Sequence, residues 1–256
     1  MLRQIALQES VVYGPIHSRR LGSSLGINPL PLSRKACSSN CVYCQHGWTL
    51  PAEGSSEPVK RAAELLPLID EAFKSFAEQK TAVDCITLAG NGEPTIHPDL
   101  EAIVLEVKRL RDRDFPKAKV GILSDATQAH RPGVARALRA LDERYMKLDG
   151  GDEAMWRAVT QPFGGADWAT MIAALKNLPD IVLQSMFIQG SVNNTKPDHI
   201  ERWIELVRSI RPLSVQVYTV DRAPADPGIV KVPLARLQAI ADRLTARTGI
   251  PADVYD

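Results

Sequence analysis

Cys37, Cys41 and Cys44 stand in one C-x3-C-x2-C run, Lys35-Ala36-Cys37-Ser38-Ser39-Asn40-Cys41-Val42-Tyr43-Cys44-Gln45. Thiolates this close together on a loop select soft metals, and zinc and iron–sulfur clusters are the natural guests. The ligand count separates two kinds of chemistry. A closed structural zinc site takes four side chains, and so does a fully ligated four-iron cluster. Three cysteines leave one metal corner open, and an open corner is where a further ligand can react. A zinc knuckle closed by His46 is the alternative reading of the same run. Cys85 lies mid-strand between apolar neighbours and reads as a buried, inert thiol.

The elements that must position this loop alternate along the chain. Strand-type runs are expected at 24–30, 83–89, 118–124, 144–148, 181–188 and 214–219, with a short extra strand at 252–255. Helical spacing of apolar residues marks 59–79, 99–111, 132–141, 153–159, 168–178, 197–210 and 234–246. The Pro, Gly and Ser residues of 49–58 predict an exposed loop. Six strands alternating with helices predict a parallel α/β sheet. No G-x-G-x-x-G turn follows the first strand, which disfavours a dinucleotide-binding doubly wound domain. The expected fold is a partial (β/α)6 TIM-type barrel. It forms a single domain over 1–256, with a core at about 13–224 and a C-terminal helical extension over 225–256. In such barrels the site gathers at the C-terminal ends of the strands. The cysteine loop, Glu93, Ser124, Asp149 and the segment after Ile188 all fall there.

Composition narrows the setting. With 256 residues and 45% apolar content the chain can bury one sizeable core. A net charge of +1 carries no polybasic signature of obligate nucleic-acid binding, although local contact stays open. No run approaches a membrane span and residues 1–10 do not read as a signal peptide. Four cysteines, three of them clustered, are not a disulfide framework, so a reducing, cytoplasmic location is expected.

The cysteine run, with Tyr43 just before its third cysteine, resembles the radical S-adenosylmethionine (SAM) superfamily. Gly90-Asn91-Gly92-Glu93-Pro94 is similar to that superfamily's glycine-rich segment. The resemblance implies a [4Fe–4S] cluster on Cys37, Cys41 and Cys44, with SAM on the open iron. It implies an iron–sulfur enzyme of oxidoreductase or lyase type, supplied with electrons by a donor such as flavodoxin or ferredoxin. Tyr43 is then expected near the adenine, and Gly90, Asn91, Gly92 and Glu93 around the SAM amino group.

The string Tyr13-Gly14-Pro15-Ile16-His17-Ser18-Arg19-Arg20-Leu21-Gly22, together with Leu25-Gly26-Ile27-Asn28-Pro29, Lys147-Leu148-Asp149 and 219–224, resembles one branch of the superfamily, the wyosine synthases, which modify guanine in tRNA. That branch carries second-cluster cysteines upstream. Residues 1–36 contain none, and Leu21 stands where one is expected. Wyosine synthesis itself is therefore not assigned. The substrate is either a small molecule or tRNA, and a non-catalytic metal-binding module is the remaining alternative.

Further candidates follow from position. Ser124 and Gln184, at or near strand ends, are candidate SAM contacts or ordinary satisfied polar residues. Lys147 and Asp149 alternate about Leu148 and so point to one side of their strand. Facing the barrel interior, that pair either binds SAM or neutralises itself. His17 is a candidate acid–base group or a structural hydrogen-bond partner. Arg19 and Arg20 suit a phosphate or acidic substrate, or a solvated turn. Asn193 and Asn194 are pocket residues or turn formers. Asp221 and Arg222 bind substrate or pair with each other.

Overall fold

The computed structural model of the protein describes residues 4–18, 20–49, 57–163 and 165–256. In chain order the elements are β1 (Val12–Ser18), β2 (Gly22–Ile27), α1 (Ala62–Glu78), β3 (Cys85–Leu88), a 3₁₀ turn (Pro94–Ile96), α2 (Leu100–Asp114), β4 (Lys119–Ser124), α3 (Pro132–Ala140) and β5 (Glu143–Lys147). There follow α4 (Glu153–Thr160), α5 (Trp168–Asn177), β6 (Ile181–Met186), β7 (Gln189–Gly190), α6 (Pro197–Ile210), β8 (Ser214–Tyr218), β9 (Ile229–Val230), α7 (Leu234–Thr248) and β10 (Ala252–Tyr255). The main sheet has eight strands in the order β1-β2-β3-β4-β5-β6-β8-β10, all parallel from β2 onward. β7 and β9 form a separate antiparallel ribbon. This is the expected partial TIM-type barrel.

Strand alternation sorts the side chains into two layers. Leu25, Ile27, Ile86, Leu88, Val120, Ile122, Met146, Leu183, Val215 and Val217 join the main core with Leu65, Ile69 and Phe73 of α1 and Ile103, Val104 and Val107 of α2. Each such side chain, fully buried, contributes about 1.5–3 kcal/mol. The alternate positions, Ser24, Thr87, Tyr145, Lys147, Gln184, Gln216 and Tyr218, face the concave side. The lumen is therefore polar while the helix-facing layer is apolar.

Helix ends are set by local chemistry. Asp152 accepts from Met155 N (2.8 Å) at the start of α4, and Asp167 accepts from Thr170 N (2.6 Å) at the start of α5. The buried Arg144 guanidinium donates to the carbonyls of Leu138, Leu141 and Pro179, closing the ends of α3 and α5.

One part of the sheet differs from the expectation. β1 pairs antiparallel with β2, from Val12↔Ile27 to Ser18↔Gly22, where no strand was expected. Gly14 and Pro15 lie in a register irregularity of this strand, and that pair disguises it as a loop. The short extra strand expected at 252–255 is β10, which adds to the sheet beside β8, with Ala252 opposite Val215 and Tyr255 opposite Tyr218. Among the described residues no helix is long and apolar enough to cross a membrane.

Candidate active site

The cysteine loop is held along its length by backbone bonds. Ala36 N donates to Asn91 O (2.8 Å) and Glu93 N donates to Ala36 O (3.0 Å), so the loop's entry is clasped to the glycine turn after β3. Asn40 N donates to Thr160 O (3.0 Å) and Val42 N to Val159 O (3.0 Å) at the end of α4, while Asp226 N donates to Val42 O (2.9 Å). Val42 is buried in a small second core with Met155, Val159, Met186, Ile188, Val220 and Ile229, against which Tyr43 and Tyr218 pack. The intervening cysteines are half-buried at the surface of this core. Cys85 is separate, buried on β3 with Sγ 3.4 Å from Thr87 Oγ1.

The glycine turn needs its glycines. Gly92 has φ +144°, and a Cβ there would lie 1.6 Å from Ala36 O. Gly90 has φ +142°, and its Cβ would press on Asn28. The fully buried Asn91 points its side chain away from the loop, donating to Gln8 O and Pro31 O (2.9 Å each) and accepting from Gln8 N (2.7 Å). Asn91 thus ties down the N-terminal segment. Glu93 is buried and accepts from Thr95 N (2.9 Å), Thr95 Oγ1 (2.6 Å) and Asp125 N (2.5 Å).

Asp125 was not among the residues singled out from sequence. Its Oδ2 accepts from Ser38 Oγ and Ser39 Oγ (2.7 Å each), which brings the end of β4 onto the cysteine loop. By alternation the preceding Ser124 shares the helix-facing side with Val120 and Ile122, and its Oγ accepts from Ala126 N (3.0 Å). The useful signal was an acidic residue one step beyond a buried strand run, on the parity of the lumen.

Lys147 and Asp149 do share the lumen side. Lys147 Nζ lies 3.4 Å from Asp149 Oδ1, donates to Tyr218 Oη, and sits 4.7 Å from the ring centroids of both Tyr43 and Tyr218. Tyr43 Oη donates to Asp149, whose other oxygen accepts from Met186 N (2.8 Å). Tyr218, also absent from the sequence-derived candidates, completes the cage. Gln184 Nε2 donates to Gln216 Oε1 (2.8 Å) across the lumen wall.

Other candidates fall outside this cluster. Asn194 is buried and bonds to Asp149 O, Met186 O and Ile188 N, while Asn193 forms a turn with Thr195. Asp221 and Arg222 are exposed, 4.0 Å apart. His17 is exposed on β1 opposite Ser23. Arg19 lies outside the described residues, and Arg20 enters the lumen. His46 Nδ1 faces Ile5 O at 3.2 Å, and burial holds the ring below its ordinary pKa.

The electrostatics describe a site prepared for positive charge. Burial, Asp125 and Cys41 hold the Cys37 thiol well above its ordinary range. Burial, Asp149 and Cys44 push Cys41 up to about 12. Burial and Asp125 raise Glu93 to about 8. Burial disfavours the Lys147 ammonium, but Asp149 and Tyr218 outweigh it and hold its pKa above the usual value. A metal centre on the thiols and an ammonium beside Glu93 and Asp125 would each relieve the crowding of acidic groups. Among the described residues no three Cys, His, Asp or Glu side chains are drawn together for a single ion. The thiolates of a four-iron cube bind different irons and need no common centre. The donor set therefore fits a cluster carried on three cysteines.

Comparison with known proteins bears on the family. A family model described as Radical SAM superfamily matches residues 34–207. The chain is 29% identical over 223 residues to a protein of Brachyspira hyodysenteriae named GTPase Obg, covering 84% of this chain but 31% of that protein. It is 29% identical to a UPF0026 protein of Helicobacter pylori (83% of this chain, 67% of that one) and 30% identical to UPF0026 protein slr1464 of Synechocystis (80% and 74%). Among solved structures, a radical SAM methyltransferase from Sphaerobacter thermophilus superposes with TM-score 0.67 at 15% identity, covering 91% of this chain and 65% of that one. TYW1 with a lysine-pyruvate adduct bound superposes with TM-score 0.62 at 14% identity, covering 90% and 76%. At these identities the structural likeness speaks for the fold.

Proposed function

The chain belongs to the radical SAM superfamily, together with UPF0026 proteins such as that of Synechocystis, and on that premise we propose that it is an enzyme carrying one [4Fe–4S] cluster and cleaving SAM reductively. Cys37, Cys41 and Cys44 would hold the cluster, leaving one iron for SAM. With an electron from an external one-electron donor, such a cluster would supply the chemistry that breaks the C5′–S bond of SAM, releasing methionine and a 5′-deoxyadenosyl radical able to take hydrogen from an organic substrate. The observation that carries the reading is the clasp between Ala36 and the glycine turn. It sets a three-cysteine loop against a turn with glycine on either side of Asn91, backed by the buried Glu93 and the half-buried Asp125.

The chain's own residues have definable tasks. Gly90 and Gly92 let the backbone come close to the amino group, and Glu93 with Asp125 supplies charge complementary to an ammonium. Tyr43 offers a ring face beside the third cysteine, fixed by its bond to Asp149. Lys147, kept protonated by Asp149, offers its charge toward a carboxylate at the mouth of the lumen. The apolar residues behind Val42 exclude water from one side of the loop.

The test is anaerobic reconstitution followed by reduction in the presence of SAM. Wild type is expected to release 5′-deoxyadenosine, and Cys37→Ala, Cys41→Ala and Cys44→Ala each to release none. Equal release from wild type and all three variants would overturn the assignment.

A further inference from the structure

Arg20 reaches into the lumen from the turn joining β1 to β2. Its guanidinium carbon lies 4.8 Å over the centroid of Tyr218, the ring whose hydroxyl accepts from Lys147. Its charge acts on Tyr255, the register partner of Tyr218. Arg20 Nη1 is buried, yet it has no hydrogen-bond partner. Among the described residues no carboxylate pairs with Arg20, whereas Lys147 is matched by Asp149 and Lys119 by Glu143 (3.2 Å). An arginine is always charged, and a buried guanidinium nitrogen left unsatisfied is costly. The natural relief is an oxyanion from outside the chain.

We propose that the substrate carries an anionic group, a carboxylate or a phosphate ester, which docks on Arg20 against the Tyr218 ring inside the lumen. This rests on the enzymatic reading above and deepens it. The anion is held where the guanidinium meets Tyr218, the ring that also touches Lys147, so the remainder of the molecule lies close to the cage of Tyr43, Lys147 and Asp149 beside the cysteine loop. The planar fork of Arg20, steadied on the Tyr218 ring, suits two oxygens of one group.

The test titrates inorganic phosphate and malonate, separately, into reconstituted protein saturated with SAM, using calorimetry. Wild type is expected to bind at least one probe. Phosphate alone points to a phosphate ester, malonate alone to a carboxylate, and binding of both to an anion site without discrimination; all three support the proposal. Arg20→Gln should weaken binding roughly 10- to 100-fold, the equivalent of a lost charged hydrogen bond. Arg20→Lys, which keeps the charge and guards against misfolding of the glutamine variant, should weaken it less. Arg109→Gln, on the exposed face of α2, should not change it. Binding of neither probe to wild type, or equal binding by wild type and Arg20→Gln, overturns the proposal. Release of 5′-deoxyadenosine by wild type is scored separately. Its absence would remove the radical reading and leave the anion site, whereas unchanged anion binding in Arg20→Gln would do the reverse.

Discussion

Gly92→Ala tests the clasp on which the site depends. The added Cβ would stand 1.6 Å from Ala36 O, far inside van der Waals contact, and the neighbour is backbone that cannot swing aside. Residue 92 also holds φ +144°, where an alanine is strained by about 1–3 kcal/mol. Separating the two segments breaks the bonds Ala36 N to Asn91 O and Glu93 N to Ala36 O, at about 0.5–1.5 kcal/mol each. The expected loss is about 2–6 kcal/mol. Gly249→Ala is the control, since Gly249 has φ +74° but nothing within 4 Å of an added Cβ. It bears the cost of the left-handed conformation alone, about 1–2 kcal/mol. For a chain of this size 1 kcal/mol moves the melting midpoint by roughly 2–4 °C. Thermal unfolding of the metal-free protein should therefore place Gly92→Ala several degrees below Gly249→Ala. After reconstitution Gly92→Ala should also retain less iron. If the two variants melt together and retain equal iron, the clasp does not organise the loop.

Three further outcomes are expected. Glu93, raised to about 8, binds its proton more tightly folded than unfolded, so its contribution to stability is complete below its unfolded pKa and is lost as pH rises through about 8. The melting midpoint of metal-free wild type should then fall relative to Glu93→Gln between about pH 5 and about pH 9, and a constant gap over that range contradicts the shift. Asp142 accepts from Arg111 Nη1, Lys108 Nζ and Val120 N, all at 2.8 Å. Asp142→Ala leaves the largely buried Arg111 short of a partner and should cost about 2–3 kcal/mol by denaturant unfolding; a loss under about 0.5 kcal/mol refutes the role. Tyr43→Phe removes the bond to Asp149 while keeping the ring. It should weaken SAM binding, measured by equilibrium dialysis on the reconstituted protein, by less than the severalfold effect of Lys147→Ala, and the reverse order would contradict the cage described for Lys147.

The strands carrying the site were legible because each is a short run rich in aliphatic residues that alternates with a helical pattern, as in 181–188 and 214–219, whose Gln184 and Gln216 fall on the lumen side. β1 was hidden by Gly14 and Pro15, which look like a turn when no partner strand is in view. The same limit applied at the end of β4. The sequence places Ser124 and Asp125 equally near the strand end, and only the direction of each side chain decides which one meets Ser38 and Ser39. Lys147 and Asp149 could be paired from alternation alone, being two residues apart on one strand. Tyr218 could not, since its approach to Lys147 depends on the curvature that brings β8 across from β5. The cysteines were legible as ligands, but the packing of Val42 against Val159 and Met186 was not, because those contacts join distant segments through a small separate core.

The central claim is that SAM binds the open corner of a cluster on Cys37, Cys41 and Cys44. It is tested most directly by electron paramagnetic resonance of the reduced, reconstituted protein before and after SAM is added. A signal from a reduced [4Fe–4S] cluster, with about four irons per chain, is expected, and its g-values should shift when SAM is added. A reconstituted protein that is colourless and holds zinc, or a cluster signal indifferent to SAM, would contradict it.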